Sequence, residues 1–316
     1  MADNYSAIIL AAGDGTRMKS EKPKVLHEIC GKPMISILVD TLYEFGIDDI
    51  VVVTGYKENL IKAELGNRVS YITQKELLGT GHAVLQTKEY FSKKRGKVVV
   101  LCGDAPLISK DSLGGIMNTS SKPGIDAAVV TMKMENPAGY GRIIKDSIGK
   151  VIKIVEEKDS TEDEKKIKEI NTGMYCFNIA DLFSSLDKVS NNNVQREYYL
   201  TDVIDILNKN NKKVIPIILK DSFSGIGINS RVDLAVAEKY LQKRITERII
   251  KSGVTIIDPD LVYIEEDVEI GIDTVIEPFV KISRGARIGA NCVIGSFVYI
   301  KKNEIVGNNE VRLQQC

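Results

Sequence analysis

Three short apolar runs, residues 5–10, 50–53 and Lys97–Leu101, punctuate the first hundred residues, with amphipathic stretches between them. Leu38, Leu42 and Phe45 fall at helical spacing between the first two runs, and Ala83–Phe91 reads as a further helix opened by Thr80. Strands alternating with helices predict an α/β fold around a mostly parallel sheet. Later runs at 126–134, 142–145, 150–156 and 172–177 read as strands, some of them antiparallel because their connections are too short for a crossover. The segment Lys158–Glu169 is so charged that it reads as a solvated helix or loop. Ser230 suits the N-cap of a long helix running to about Lys251, with Gly253 as its stop.

Beyond that helix the period changes. Ile264, Ile270, Ile276, Ile282, Ile288, Ile294, Ile300 and Val306 recur every six residues, and Gly271, Gly289, Gly295 and Gly307 each follow one of them. Val268, Val280, Ala286, Cys292 and Val298 form a second ladder in the same period. A hexapeptide repeat is the pattern of a parallel β-helix, whose coils stack to bury an inward column of branched side chains. The repeat supplies fewer than three coils before it dissolves into Glu310–Cys316, so the solenoid reads as shortened, with a frayed terminal coil.

Composition narrows the class. Hydrophobic residues make up 43% of the 316 and charged residues 27%, as in a soluble globular protein. Lys plus Arg and Asp plus Glu both total 43, so no net field recruits nucleic acid or an anionic membrane, and any phosphate site must be local. The cysteines, Cys30, Cys102, Cys176, Cys292 and Cys316, form no C-x-x-C pair, which fits a reducing compartment. The start of the chain has no basic and apolar leader, and no apolar run approaches the roughly 20 residues that span a bilayer. A cytoplasmic location is expected.

The candidate chemistry begins where the first strand ends, in Leu10-Ala11-Ala12-Gly13-Asp14-Gly15-Thr16-Arg17-Met18, followed by Pro23-Lys24. Glycines at a strand's carboxyl end let backbone N–H groups approach a phosphate, and Arg17, Lys19, Lys22 and Lys24 bring cations to the same mouth. This is neither a Walker A loop, since Met18 stands at its second glycine, nor a dinucleotide fingerprint, since the third glycine is absent. On residue type alone a plain strand-to-helix turn and a turn aspartate at Asp104 are equally open readings, and a solvated surface Lys24 is the favoured one. Asp104 nonetheless follows a strand at the edge where open α/β sheets bind ligands. His27 and His82 are the only histidines, neither has a nucleophile beside it, and both read as structural.

Taken together, L-A-A-G-x-G-T-R-M, Pro23–His27 and Gly31–Met34 resemble the sugar-nucleotide pyrophosphorylases, and within them the N-acetylglucosamine-1-phosphate uridyltransferases. Further matches run through Gln74 with Leu78–His82, Gly103–Leu107, Gly139–Arg142, Val155-Glu156, Asn171–Gly173, Asn191–Asn193, Glu197–Asp202 and Gly227–Asn229, so the resemblance spans residues 5 to 300. It implies a Rossmann-like nucleotidyltransferase domain over 1–229 with a mixed, mostly parallel sheet, a linker helix over 230–252 and a short left-handed parallel β-helix over 253–316. It implies that UTP and N-acetylglucosamine 1-phosphate give UDP-N-acetylglucosamine and pyrophosphate, a step that feeds peptidoglycan and cell-wall biogenesis. Arg17 and Lys24 are then the catalytic cations on the triphosphate. Mg²⁺ is held by Asp104 and Asn229, whose hard oxygens suit it.

The resemblance also carries over substrate contacts at Leu10, Ala11, Ala12, Gly13, Lys24, Cys102, Gly103, Asp104 and Asn229. Gln74, Gly79 and Thr80 correspond to the uracil-binding segment, and Gly141, Glu156, Asn171, Tyr198 and Thr201 to the sugar pocket. On residue type alone Gly141 could equally be a turn, Glu156 a strand end and Tyr198 core. Cys102 departs from the family, which often has an aromatic there. Full-length relatives carry a longer, trimeric β-helix that acetylates glucosamine 1-phosphate. Here no histidine follows His82, so acetyl transfer is expected to be absent, and the shortened β-helix is expected to weaken a homotrimer. Sibling ligands (dTTP, glucose 1-phosphate) and a non-catalytic assembly subunit are the competing readings. Because every candidate site residue lies at or before Asn229, the site is expected not to depend on residues 254–316.

Overall fold

A computed structural model describes residues 5–221 and 223–314. The first four residues, where the absence of a leader was read, and Cys316 lie outside them. The chain divides into two compact units, one formed by residues up to Leu26 with Met34–Asn229, the other by His27–Pro33 with the residues from Ser230 onward.

The first unit is built on a nine-stranded sheet: β1 Tyr5–Ala11, β2 Asp49–Thr54, β3 Ser70–Thr73, β4 Lys97–Cys102, β5 Ala127–Lys133, β6 Arg142–Lys145, β7 Val151–Val155, β8 Glu169–Asn178 and β9 Val214–Ile218. Its order is β9-β5-β8-β4-β1-β2-β3, with β6 paired to β8 and to β7. The strands β4, β1, β2 and β3 are mutually parallel, whereas β8 runs antiparallel between β4 and β5. The apolar runs form these strands because both faces are covered. Ile9, Val52, Val99 and Leu101 belong to one buried cluster, while Ile8, Val51, Val53, Val98 and Val100 belong to the other. The first cluster takes in Ile35, Leu38 and Leu42 of helix α1 (Met34–Glu44), and the second takes in Phe91, Leu182 and Val203.

The expected helix over 83–91 is broken in two, Thr80–Leu85 and Lys88–Phe91. Thr87 is buried between them and its hydroxyl donates to the Val84 carbonyl at 2.7 Å, a local bond that competes with the helical ladder. The charged stretch 158–169 holds only a short turn of helix, Glu162–Lys165, started by a capping box between Thr161 and Glu164.

In the second unit, a helix covers Arg231–Lys251, with Ser230 and Asp233 forming its capping box. Two-residue strands follow at a spacing of six, and each pairs in parallel with the strand eighteen residues on, from Tyr263-Ile264 with Lys281-Ile282 to Val293-Ile294 with Val311-Arg312. Three strands therefore make one coil. The ladder side chains Ile264, Ile276, Ile282, Ile288, Ile294, Ile300 and Val306 are buried, while Ile270 is half-buried. Every turn contains one residue in the left-handed region, again at a period of six: Asp267, Asp273, Phe279, Gly285, Asn291, Phe297, Asn303 and Asn309. The expected fraying is not seen, since pairing continues to Arg312. Glu304 and Glu310 bend back to accept from the Lys301 and Gly307 amides at 2.8 and 2.6 Å.

The second unit also includes a hairpin that sequence patterning missed, Glu28-Ile29 against Lys32-Pro33. The buried Cys30 amide donates to the Glu238 carboxylate at 3.1 Å, and the Cys30 carbonyl accepts from the Glu266 amide at 2.8 Å. Gln242 bridges Cys30 Sγ (3.2 Å) and the Ile264 backbone. Lys32, nearly buried, pairs with Asp267 at 2.8 Å, and Arg284 reaches the same carboxylate at 3.0 Å. Residues 27–33 are thus built into the second unit together with residues 254–314.

Burial by itself would raise the Asp267 carboxyl, but Lys32 and Arg284 outweigh it and hold it below its ordinary 3.8. A depressed acid stabilises the fold above its unfolded value, and that contribution fades as pH falls through the lower folded value. Asp267 is 43% exposed and solvent screens the pair, so Asp267→Asn should cost no more than about 1 kcal/mol near neutral pH and progressively less below pH 3.8. Melting curves across pH and mass-mapped thiol labelling of Cys30 test this. Unchanged melting and no faster labelling would show that the pair does not hold the hairpin.

Candidate active site

The loop after β1 carries the cations. Gly15 has φ 65°, and a Cβ there would stand 2.6 Å from Lys24 Cβ, so only glycine lets the two arms of the loop approach. Buried Met18 anchors the first arm and leaves Arg17 exposed. In the second arm Leu26 N–H closes a turn on the Pro23 carbonyl at 2.9 Å, and Val25 and Leu26, both buried, anchor the chain just after Lys24. Lys24 Nζ donates to the Asp104 carboxylate and, at 3.0 Å, to Asn229 Oδ1. Arg17 Nη2 donates to the same Asn229 oxygen at 2.7 Å. The Ile228 amide donates to the Asp104 carbonyl at 2.8 Å. Four candidate residues far apart in sequence therefore meet in one cluster.

Beside this cluster lies a cleft of about 270 Å³ lined by Leu10, Ala11, Ala12, Gly13, Lys24, Gln74, Gly79, Thr80, Cys102 and Asp104 among the expected residues. Val25, Leu77, Ala83 and Glu197 line it as well. Val25 and Glu197 stand inside motifs already recognised, whereas Leu77 and Ala83 gave no signal beyond ordinary apolar patterning. Gly103 does not line the cleft, and its amide donates to the Leu10 carbonyl at 2.9 Å within the sheet edge.

Gln74 is buried and its amide is 3.2 Å from the Gly79 carbonyl and 3.0 Å from His82 Nδ1, while Gln86 lies 3.0 Å from His82 Nε2. A neutral imidazole has one donor and one acceptor, so one of the two glutamines must present its oxygen. His82 thus braces Gln74. Gly79 has φ 104°, and a Cβ there would meet the Tyr198 carbonyl at 2.6 Å. Tyr198 contributes through its backbone, accepting from Gly81 N–H at 2.7 Å and donating to the Leu78 carbonyl at 2.8 Å. Thr80 Oγ accepts from the Leu200 amide at 3.1 Å.

A second group gathers Gly141, Glu156, Asn171 and Thr201. The Asn171 amide donates to the Gly141 carbonyl at 2.8 Å, and Thr201 Oγ donates to Glu156 Oε1 at 3.1 Å. A bulge in β8 between Asn171 and Tyr175 aims the Asn171 side chain, which donates to Tyr175 Oη at 2.6 Å and accepts from the Gly173 amide at 3.1 Å. Burial pushes the Glu156 carboxyl above its ordinary value. The Thr201 hydrogen bond opposes this, and Asp202, Asp159 and Glu197 add to it. These residues do not line the 270 Å³ cleft. Cys102 connects the two groups: it lines the cleft, and its thiol donates to the Gly173 carbonyl at 3.6 Å. Burial pushes that thiol up to about 12, with Asp104 and Glu156 adding and Lys24 opposing, so it is a neutral lining group at physiological pH.

Comparison with known proteins gives the chain its family. The nucleotidyl transferase family model matches residues 6–237, and the bacterial transferase hexapeptide model (six repeats) matches residues 262–302. The bifunctional protein GlmU of Acetivibrio thermocellus is 50% identical over 272 residues, 86% of this chain and 59% of that protein. The protein of the same name from Listeria monocytogenes is 46% identical over 279 residues, 88% of this chain and 61% of that protein. The chain thus spans about three-fifths of the length of such relatives. A crystal structure from Bacillus anthracis described as a glucose-1-phosphate thymidylyltransferase superposes with a TM-score of 0.60 at 20% identity, covering 75% of this chain and 94% of that one, a likeness of fold. With a family model matched from the first strand into the long helix, the chain belongs to the nucleotidyl transferase family.

Proposed function

We propose that the chain is a uridyltransferase that joins UTP to N-acetylglucosamine 1-phosphate and releases pyrophosphate. The observation that carries this reading is the convergence of Lys24, Arg17, Asp104 and Asn229 beside a cleft lined by Gly13, Gln74, Gly79 and Thr80. The cleft suits a nucleotide. Gly13 is exposed with no heavy atom within 4 Å of a built Cβ, so its backbone is open to phosphate oxygens.

In the proposed reaction a phosphate oxygen of the sugar phosphate attacks the α-phosphorus of UTP, the new P–O bond forms and the bond to the β-phosphate oxygen breaks. Pyrophosphate carries away the electron pair. The attacking phosphate is already an anion, so no protein base is required, which fits the bracing role of His82. Lys24 and Arg17 stabilise negative charge building on the triphosphate. Glu156 and Asn171 orient the sugar hydroxyls.

Asp104 and Asn229 already point oxygens at one ammonium, so this donor pair suits a hard cation. Among the described residues no three His, Cys, Asp or Glu side chains converge, so Mg²⁺ there would draw its remaining ligands from phosphate and water. Bound Mg²⁺ supplies charge neutralisation on the phosphates. Acetyl transfer by these 316 residues is expected to be undetectable.

Pyrophosphate release should require Mg²⁺ and favour UTP with N-acetylglucosamine 1-phosphate over dTTP or glucose 1-phosphate. No release from the favoured pair would sink the proposal. Asp104→Asn should lower kcat by about two orders of magnitude and raise the Mg²⁺ needed for half-activity, with Tm shifted by no more than about 3 °C. Lys24→Ala should lower kcat/KM by at least about tenfold, through loss of a charge-assisted phosphate contact. Near-normal kinetics would mean that these residues have other roles.

Glu156 provides a pH test. Its raised carboxyl keeps its proton to higher pH, and a protonated carboxyl is a poorer acceptor for sugar hydroxyls. The advantage of wild type over Glu156→Gln in KM for the sugar phosphate should therefore be largest near neutrality, about tenfold, and should shrink as pH falls toward the Glu156 value above 4.5. A wild-type to variant ratio that stays flat with pH would remove Glu156 from the sugar pocket.

A further inference from the structure

Among the described residues Arg142 is the largest fully buried side chain, 1% exposed. A guanidinium stays charged at any physiological pH, and taking it out of water costs several kcal/mol unless it is paired and its donors are satisfied. Its partners come from three separate segments. The guanidinium donates to the Tyr140 carbonyl, to the Lys165 carbonyl from Nε and Nη2 at 3.4 Å each, and pairs with the Glu157 carboxylate at 2.7 Å.

Each of these partners adjoins something the candidate sugar pocket needs. Tyr140 precedes Gly141, and Glu157 follows Glu156. Lys165 closes the short helix after the Glu157–Asp159 turn. The Arg142 backbone adds a second constraint, because in the sheet it stands opposite Val155 on one side and Ile170 on the other, the residues just before Glu156 and Asn171. Backbone register therefore sets the three strands side by side, while the side chain fixes the two loops that leave them. The guanidinium's hydrogen bonds to the two carbonyls are directional and the Glu157 carboxylate balances its charge, so the side chain does more here than fill volume.

We infer that Arg142 is a positioning residue for the sugar-phosphate side of the site, clamping Gly141 and Glu156 in register without touching substrate. The inference rests on the proposed uridyltransferase reading. Lysine can reach Glu157 but has no fork with which to hold the two carbonyls as well. Glu157→Gln is the milder probe, because Glu157 is a third exposed and its removal leaves the guanidinium bound to both carbonyls.

The experiment measures KM for each substrate separately in Arg142→Lys and Glu157→Gln, together with amide exchange of the ligand-free proteins. Both variants should raise KM for N-acetylglucosamine 1-phosphate by about fivefold or more, while KM for UTP stays within about twofold. Exchange should quicken at residues 138–141 and 157–161 and stay unchanged at 10–13 and 74–80. A parallel rise in both KM values, or an unchanged sugar KM, would overturn the inference and leave Arg142 as a fold residue. If wild type turns over neither substrate, the uridyltransferase reading fails instead. The exchange pattern then still decides whether Arg142 clamps these loops, and uniform exchange across the four segments would sink it.

Discussion

The structure depends first on the parallel pairing of β2, β1 and β4. Leu10 stands opposite Val53 and Cys102, so the carboxyl ends of the strands lie level. From β1 the chain builds outward to β2 and β3 on one side, and β4 is laid down on the other. Between β1 and β4 the direction of winding reverses, and the loops leaving the two ends part to form a crevice. The amides beyond Ala11 have no further strand to pair with. Gly13, Lys24, Cys102 and Asp104 come together for that reason, although more than ninety residues separate the first from the last.

How much of this was legible in the sequence depends on the range of the interaction. The hexapeptide ladder could be read because each rung repeats its neighbour's environment, and the helix start could be read because Ser230 and Asp233 cap it within four residues. Asp104 and Lys24 were recognisable as motif residues, but nothing local says that one lies on the other. The hairpin at 27–33 left no trace, because Cys30 finds its partners at Glu238 and Glu266, more than 200 residues away. Asn171 is aimed by a bulge, and Arg142 stands in a recognised motif with nothing local to say that its charge is buried. Buried charge becomes visible only once burial is known.

The β-helix shows local preference yielding to the global period. A left-handed residue is needed at each turn, and asparagine, aspartate and glycine take most of those places at little cost. Phe279 and Phe297 occupy two of them, where an aromatic side chain costs about 1–2 kcal/mol. They lie one coil apart, with their rings stacked at 5.1 Å and 7° from parallel. Such stacking returns about 0.5–1.5 kcal/mol, enough to offset part of the strain. The turn geometry is thus imposed by the coil rather than chosen by the residue.

The same logic of paired charges links the two halves of the proposed chemistry. The chain carries no net charge, and in the cluster the Lys24 ammonium is satisfied by Asp104 and Asn229. Under the proposed function, a triphosphate that recruits Lys24 removes the counter-charge from Asp104. That carboxylate acts on the buried Cys102 thiol, where a further uncompensated negative charge is unfavourable. A second cation drawn to Asp104 and Asn229 restores the balance. Nucleotide and cation therefore bind with positive coupling, and by reciprocity each raises the affinity for the other. Under the proposed function, the lysine on that carboxylate makes the site respond to nucleotide and cation together rather than to either alone.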